Sequence, residues 1–310
     1  MWGEKPYHSL DYEMKNRFGE KIYKVSLVGS QTCPNRDGTL DTRGCIFCSG
    51  AGSGDFASPR CRSVTAQIDH GIMGISSRKR VGSHFIAYFQ SFTGTYGPIH
   101  QLRSMFMEAL NHPDVVMLSI GTRPDCLGDQ VMDLLVECNR IKPLIVELGL
   151  QTIHENTARY IRRGYPLPVY DQGVKKLQDA GIEVVTHVIA GLPGESLEDF
   201  LATVHHVGQV GSQGIKLQLL HVLRGTDLAL DYQKGLFRAL TMEEYLHWIE
   251  SAISILPPQV VIHRLTGDGP KDLLIAPEWS SRKRDTLNRL HRELKEKNIW
   301  QGKEAHNYGK

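Results

Sequence analysis

The chain has 310 residues, 41% of them hydrophobic and 23% charged, which is ordinary globular composition. Its 36 basic against 34 acidic residues leave a formal charge of +2, so overall charge gives no reason to expect a nucleic-acid partner; only a local patch would. No apolar run reaches the roughly 18 residues of a membrane span, and Met1–Leu10 lacks the apolar segment of a signal peptide. The expectation is a cytoplasmic protein without membrane contact. Six cysteines in that reducing compartment are not expected to form structural disulfides, so any that cluster point to metal binding or catalysis.

Short runs rich in Val, Ile and Leu alternate with longer amphipathic stretches. In chain order they predict a strand at Lys24–Val28, a helix at Val64–Arg80, a strand at His84–Gln90 and a helix at Ile99–Asn111. A strand at Val115–Gly121, a helix at Gly128–Arg140, a strand at Leu144–Leu150 and a helix at Val169–Ala180 follow. Next come a strand at Ile182–Ala190, a helix at Leu197–Val210, a strand at Gly214–Val222, a helix at Met242–Leu256 and a strand at Val260–Leu265. The tail, Ser281–Lys297, reads as a last, highly charged helix. Strand–helix alternation with near-continuous apolar strands implies an α/β fold, a parallel sheet covered by helices. A full or partial (β/α)6-type barrel with a C-terminal helical extension is the reading that fits best. An open doubly wound sheet is its rival, and periodicity does not separate them. In both, reactive groups sit where strands end and loops begin.

The strongest chemical signal is Thr32-Cys33-Pro34-Asn35-Arg36-Asp37-Gly38, followed by Gly44-Cys45-Ile46-Phe47-Cys48-Ser49. Cys45 and Cys48 have the C-x-x-C spacing that lets two thiolates reach one metal centre, and Cys33 lies upstream in a loop able to fold back. Three thiolates are too few for a structural zinc site or for a fully ligated [4Fe–4S] cluster. A cluster with one open iron, a zinc site completed by a nearby histidine, a redox dithiol and plain cysteines all remain available, although no histidine lies between Cys33 and Ser53.

Polar residues gather at the later strand ends. Glu147-Leu-Gly-Leu-Gln151 puts Glu147, Gly149 and Gln151 on one face, suited to bracket a ribose diol. Ile189-Ala-Gly191-Leu-Pro-Gly-Glu195 offers glycines that let backbone approach a flat ring. Thr122-Arg123-Pro-Asp125 carries an arginine able to grip a carboxylate. Gln90-Ser91-Phe92-Thr93-Gly-Thr-Tyr96 supplies hydroxyls at a loop start. Any one of these alone is more often a cap or turn.

Taken together, these segments resemble the radical S-adenosylmethionine (SAM) superfamily. The first gap, eleven residues between Cys33 and Cys45, departs from the usual C-x3-C-x2-C and resembles the elongator-type branch. Gln31–Gly38, Tyr88-Phe-Gln90 and His263-Arg264-Leu-Thr-Gly-Asp268 resemble more narrowly the bacterial MnmL (YtqA/YhcC-type) tRNA-modifying family. The resemblance implies a barrel core over residues 1–265, with the cluster loop at 31–55, and a C-terminal extension over 266–310. It implies a [4Fe–4S] cluster on Cys33, Cys45 and Cys48, and SAM held near Phe47, Ser91, Thr93, Arg123, Glu147, Gln151, Ile189 and Gly191. It implies an enzyme that makes a 5′-deoxyadenosyl radical and converts 5-carboxymethylaminomethyl-uridine to 5-aminomethyl-uridine at the tRNA wobble base. An electron donor such as flavodoxin or ferredoxin would serve it. Tyr88, Tyr96, His263, Arg264 and Asp268 are candidate substrate contacts, as are Arg282, Lys283 and Arg284 in the charged tail, if it tracks phosphates. The tail's alternative is an ordinary solvated helix. Two rival functions stay open: a radical SAM enzyme on a small molecule such as a porphyrinogen, and a zinc-stabilised nucleic-acid-binding module.

Overall fold

In the computed structural model, residues 2–29, 32–52, 54–58, 61–306 and 308 are described; Gln31 of the cysteine-loop motif lies outside them. Among the described residues nine strands form: β1 Tyr23–Leu27, β2 Phe85–Phe89, β3 Val115–Thr122, β4 Leu144–Gln151, β5 Glu183–Ala190, β6 Gly214–Leu219, β7 Val222–Leu223, β8 Val261–Arg264 and β9 Leu274–Ala276. Seven of them make one parallel sheet in the order β1-β2-β3-β4-β5-β6-β8, and β7 pairs antiparallel with β9. Strand order follows chain order throughout, so the doubly wound rival, whose order reverses at a switch point, does not hold. Among the described residues β1 and β8 do not pair. The sheet is therefore a curled half-barrel, the partial form of the expected barrel.

The helices are α1 Leu10–Phe18, which lies below the strand starts, and α2 Val64–Ser76, α3 Ile99–Asn111, α4 Asp129–Ile141, α5 Glu155–Tyr160, α6 Leu167–Asp179, α7 Leu197–Gln209, α8 Asp227–Gln233, α9 Met242–Ile255 and α10 Lys283–Glu296. Their starts are written into the chain. Ser196 with Asp199 and Thr241 with Glu244 form capping boxes at α7 and α9. Helix α10 turns Thr286, Leu290 and Leu294 inward. Beyond it Gln301 donates to the carbonyls of Pro257 (2.8 Å) and Val260 (2.7 Å), which ties the tail to the barrel. The N-terminal segment lies along the last strand, where the Ile262 N–H donates to the His8 carbonyl (2.7 Å) and covers the exposed sheet edge. Among the described residues no helix is long and apolar enough to cross a membrane.

The predicted strand Gly214–Val222 breaks after Leu219. The Leu220 N–H goes to the Ala190 carbonyl, and the chain turns away to pair with β9. Helices α1, α5 and α8 were not predicted; each is short, at nine, six and seven residues.

The inner face is layered. At the strand starts Ile86, Met117, Ile145 and Val185 meet Met14 of α1, and this apolar plug closes the bottom of the half-barrel. Two residues further along each strand the inward positions turn polar, as period two requires: Tyr88, Ser119, Glu147 and His187. Above that layer the strands open into a cavity.

Candidate active site

The cavity has a volume of about 250 Å³ and lies at the C-terminal strand ends. Cys33, Cys45 and Cys48 all line it, half-buried, on one wall. The loop that carries them is held by its own polar residues. The Arg36 guanidinium donates to the carbonyls of Ser49 (2.6 Å) and Cys48 (3.3 Å). A side chain at Gly44, which has φ +78, would strike that guanidinium. The Asn35 amide donates to the Arg162 carbonyl (2.6 Å) and to Cys45 Sγ (3.4 Å). The Cys48 thiol, and after it Arg123, Asn35 and Arg36, pull the Cys45 thiol down to about 6 against the burial that opposes them. Burial raises Cys33. Among the described residues no three His, Cys, Asp or Glu side chains converge closely enough to hold a single metal ion. The Cys45 and Cys48 thiols interact directly and Cys33 shares their cavity, a three-thiol donor set that fits a cubane with one thiolate per iron. Of the other cysteines, Cys138 is a core residue, and the Cys126 thiol lies beside its neighbour Asp125.

Gln151 ends β4 with φ +67, a conformation rare outside glycine, and it lines the cavity. Its Oε1 is buried and has no hydrogen-bond partner among the described residues. A Cβ on Gly149 would come within 2.9 Å of the Gln151 amide, so glycine there leaves the amide its room. An orphaned acceptor on a strained residue facing a cavity is what a ligand-binding position looks like without its ligand. Phe47, Thr93 and Ile189 also line the cavity. Ser91 and Gly191 stand behind it: Ser91 accepts from the Gly29 N–H (3.2 Å), and Gly191, at φ +83, packs against Leu240. Arg123 lines the cavity, but its fork is already engaged. It clasps Asp125 at 2.7 and 2.9 Å and donates to the Arg163 carbonyl (2.9 Å), over the Tyr165 ring. Gripping a ligand carboxylate, the task expected of Arg123, would mean releasing that clasp.

Glu147, the expected ribose partner, also lines the cavity. Its side chain is fully buried, and both oxygens are occupied. Oε1 pairs with Lys24 and accepts from Ser119 (2.8 Å); Oε2 pairs with Lys216 and meets His187 Nε2 at 2.6 Å. Burial opposes its ionisation, yet Lys216 and Lys24 outweigh burial and hold the carboxyl well below the usual range. The two ammonium groups flank the Tyr88 ring at 4.5 and 4.9 Å from its centre. Burial lowers Lys216 to about 7 and His187 to about 4. This polar floor was missed in the sequence except at Glu147, Tyr88 and Arg264. The available signal was Lys216, a charge inside the apolar strand Gly214–Leu219.

Arg264 and Asp268 line the cavity, whereas His263 is packed behind it against Gly214. Asp268 reaches Lys283 at 2.5 Å, so the start of α10 is anchored at the cavity rim. Arg282 and Arg284 are exposed beside it. Further along α10 the basic strip is neutralised: Arg289 pairs with Glu243 and Glu293, and Lys297 with Glu250 and Glu293. Tyr88 lies on the floor, and Tyr96 lies outside the cavity lining, bonded to Thr39 (2.9 Å).

Comparison with known proteins agrees with this geometry. Residues 32–207 match the model of the radical SAM superfamily, and residues 212–296 that of the radical SAM C-terminal domain. The chain is 45% identical to the uncharacterized protein YtqA of Bacillus subtilis (strain 168), over 97% of this chain and 93% of that one. It is 26% identical to the tRNA uridine(34) acetyltransferase of Methanocaldococcus jannaschii, over 52% of this chain and 30% of that one. In fold it is similar to the archaeal Methanocaldococcus infernus Elp3 with an N-terminal deletion, at a TM-score of 0.68 and 16% identity, over 93% of this chain and 68% of that one. A family model over more than half the chain, a 45% identical relative along nearly its whole length and three thiols on the wall of a half-barrel cavity agree: the chain belongs to the radical SAM superfamily, whose members bind a [4Fe–4S] cluster and SAM.

Proposed function

We propose that this radical SAM enzyme acts on the wobble uridine of tRNA, converting its 5-carboxymethylaminomethyl group to 5-aminomethyl. One observation carries the reading: the three thiols, the orphaned Gln151 acceptor and the polar floor face the same cavity. Cys33, Cys45 and Cys48 would hold the cluster. Gln151, Thr93, Phe47 and Ile189 would hold SAM, with Gly191 shaping the turn behind Ile189 and Ser91 bracing the loop. The cluster and SAM, primed by one electron from a donor such as flavodoxin or ferredoxin, would supply hydrogen-atom abstraction, with SAM the net two-electron oxidant; the carboxymethyl arm, oxidised at its methylene and cleaved from nitrogen by water, would leave as a two-carbon oxo acid.

The chain's own residues bind, orient and exclude water. Phe47 and Ile189 belong to one apolar cluster at the cavity wall, with Ile46, Leu192 and Leu220, and this cluster keeps the wall dry. Arg36, held over the Phe92 ring, keeps positive charge beside the thiols. A base splayed out of a single-stranded anticodon loop can enter such a cavity, while Arg282 and Arg284 beside the rim face the phosphates that stay outside. The resemblance in the Gln31–Gly38 and His263–Asp268 segments, and a relative named for uridine 34, support the tRNA substrate. The test is mass spectrometry of tRNA nucleosides from a strain lacking the protein. 5-Carboxymethylaminomethyl-uridine should accumulate and its aminomethyl product fall; an unchanged nucleoside profile would contradict the substrate.

A further inference from the structure

The floor of the cavity is built for more than packing. Each strand of the half-barrel contributes one polar side chain to it: Lys24, Tyr88, Ser119, Glu147, His187, Lys216 and Arg264. The charges do not balance. Lys24, Lys216 and Arg264 face the single carboxylate of Glu147, an excess of two (three minus one); with Lys216 neutral the excess is still one. Glu147 is saturated by Lys24, Lys216, His187 and Ser119, so it has nothing left for Arg264. The Arg264 guanidinium lines the cavity and makes no hydrogen bond or ion pair among the described residues. Arg264 and Lys216 are register partners on β8 and β6, side by side. Next to them His221 lines the cavity with a buried Nε2 that lacks a hydrogen-bond partner among the described residues. A partly buried guanidinium with no partner among the described residues, set beside a second cation on a cavity wall, is placed to receive an anion.

We propose that this floor is an anion subsite in which Arg264, seconded by Lys216, binds the carboxylate of the substrate's side arm and so selects for carboxylate-bearing substrates. This deepens the reading of the site as a wobble-uridine site, and it rests on that reading. A phosphate is the poorer occupant, because the base leads into the cavity and the backbone phosphates trail at the rim. The anchoring of Asp268 by Lys283 has a place in the same design: this cavity-lining carboxylate, four residues after Arg264, is engaged by α10 and makes no bond to Arg264 among the described residues.

The experiment measures affinity of the reconstituted holoenzyme with SAM for two anticodon stem-loop RNAs that differ only at the wobble base, one carrying 5-carboxymethylaminomethyl-uridine and one 5-aminomethyl-uridine. The native protein should prefer the carboxylate RNA by about 10- to 100-fold, the range of one charge-assisted hydrogen-bonded contact. R264Q should abolish the preference, R264K should restore part of it, and equal iron content in all three proteins shows that the variants are folded. A preference that survives in R264Q, or a native protein that binds both RNAs equally, overturns the subsite while leaving the tRNA reading in place. Failure of either RNA to bind the native protein overturns the tRNA reading, and the subsite for its side arm with it.

Discussion

Glu147 is the only carboxylate among the residues of the polar floor, and its removal has a cost that the structure sets. Glu147→Gln keeps the shape, but it leaves Lys24 and Lys216 facing each other without a counter-charge and turns an amide N–H toward an ammonium. Breaking a buried pair from one side costs about 3–5 kcal/mol, most of it the stranded charge. For a chain of this length the unfolding entropy of about 2.1 cal/mol/K per residue makes that a fall of about 5–8 °C in Tm. Urea unfolding of the apo protein followed by far-ultraviolet circular dichroism measures it. Adding Lys216→Met to Glu147→Gln should recover part of the loss, since the second change removes one stranded ammonium. The reasoning fails if Glu147→Gln lies within about 1 kcal/mol of the native protein, or if the two substitutions are simply additive.

Other consequences follow from single observations. Gln151→Ala should weaken SAM binding roughly tenfold, the loss of one well-placed hydrogen bond, without lowering apo stability; unchanged affinity by calorimetry would remove Gln151 from the SAM site. Lys216, lowered to about 7 in the folded protein, leaves the unfolded chain binding more protons between about pH 7 and 10.5. Native stability relative to Lys216→Met should therefore rise with pH across that window, by about 1 kcal/mol per unit near pH 8; a flat difference would refute the buried ammonium. Arg282→Ala with Arg284→Ala should lower the salt slope of RNA binding by about one to two, with Lys283 still anchored to Asp268; an unchanged slope takes the tail out of the RNA contact.

The seven sheet strands were legible because parallel strands buried on both faces are nearly continuous Val, Ile and Leu, and a period of two fixes which residues point inward. Helices α3, α7 and α9 began where they were expected, since apolar periodicity, capping boxes at Ser196 and Thr241, and Pro98 before α3 mark their starts. Short α5 and α8 have too few turns to declare a periodicity, and whether the barrel closes depends on pairing between the first and last strands, which no local pattern encodes. The thiol loop was visible as a motif. The depth of Glu147 was not: the inward face was read correctly, but how far down that face a carboxylate lies depends on Lys24 and Lys216, which arrive from strands 123 and 69 residues away in sequence. Likewise the helical spacing of Arg282, Arg289 and Arg292 suggests a basic strip interrupted by Asp285 and Glu296, and only tertiary packing brings Glu243 against Arg289.

In the proposed function the three-thiol wall and the floor serve one reaction on a wobble uridine. Its most direct test is a single-turnover reaction under anaerobic conditions, with the reconstituted protein, SAM, a reductant and an anticodon stem-loop bearing 5-carboxymethylaminomethyl-uridine. 5′-Deoxyadenosine and 5-aminomethyl-uridine should appear together in equal amounts, and both should vanish in Cys45→Ala. 5′-Deoxyadenosine formed while the RNA nucleoside stays unchanged would contradict the account.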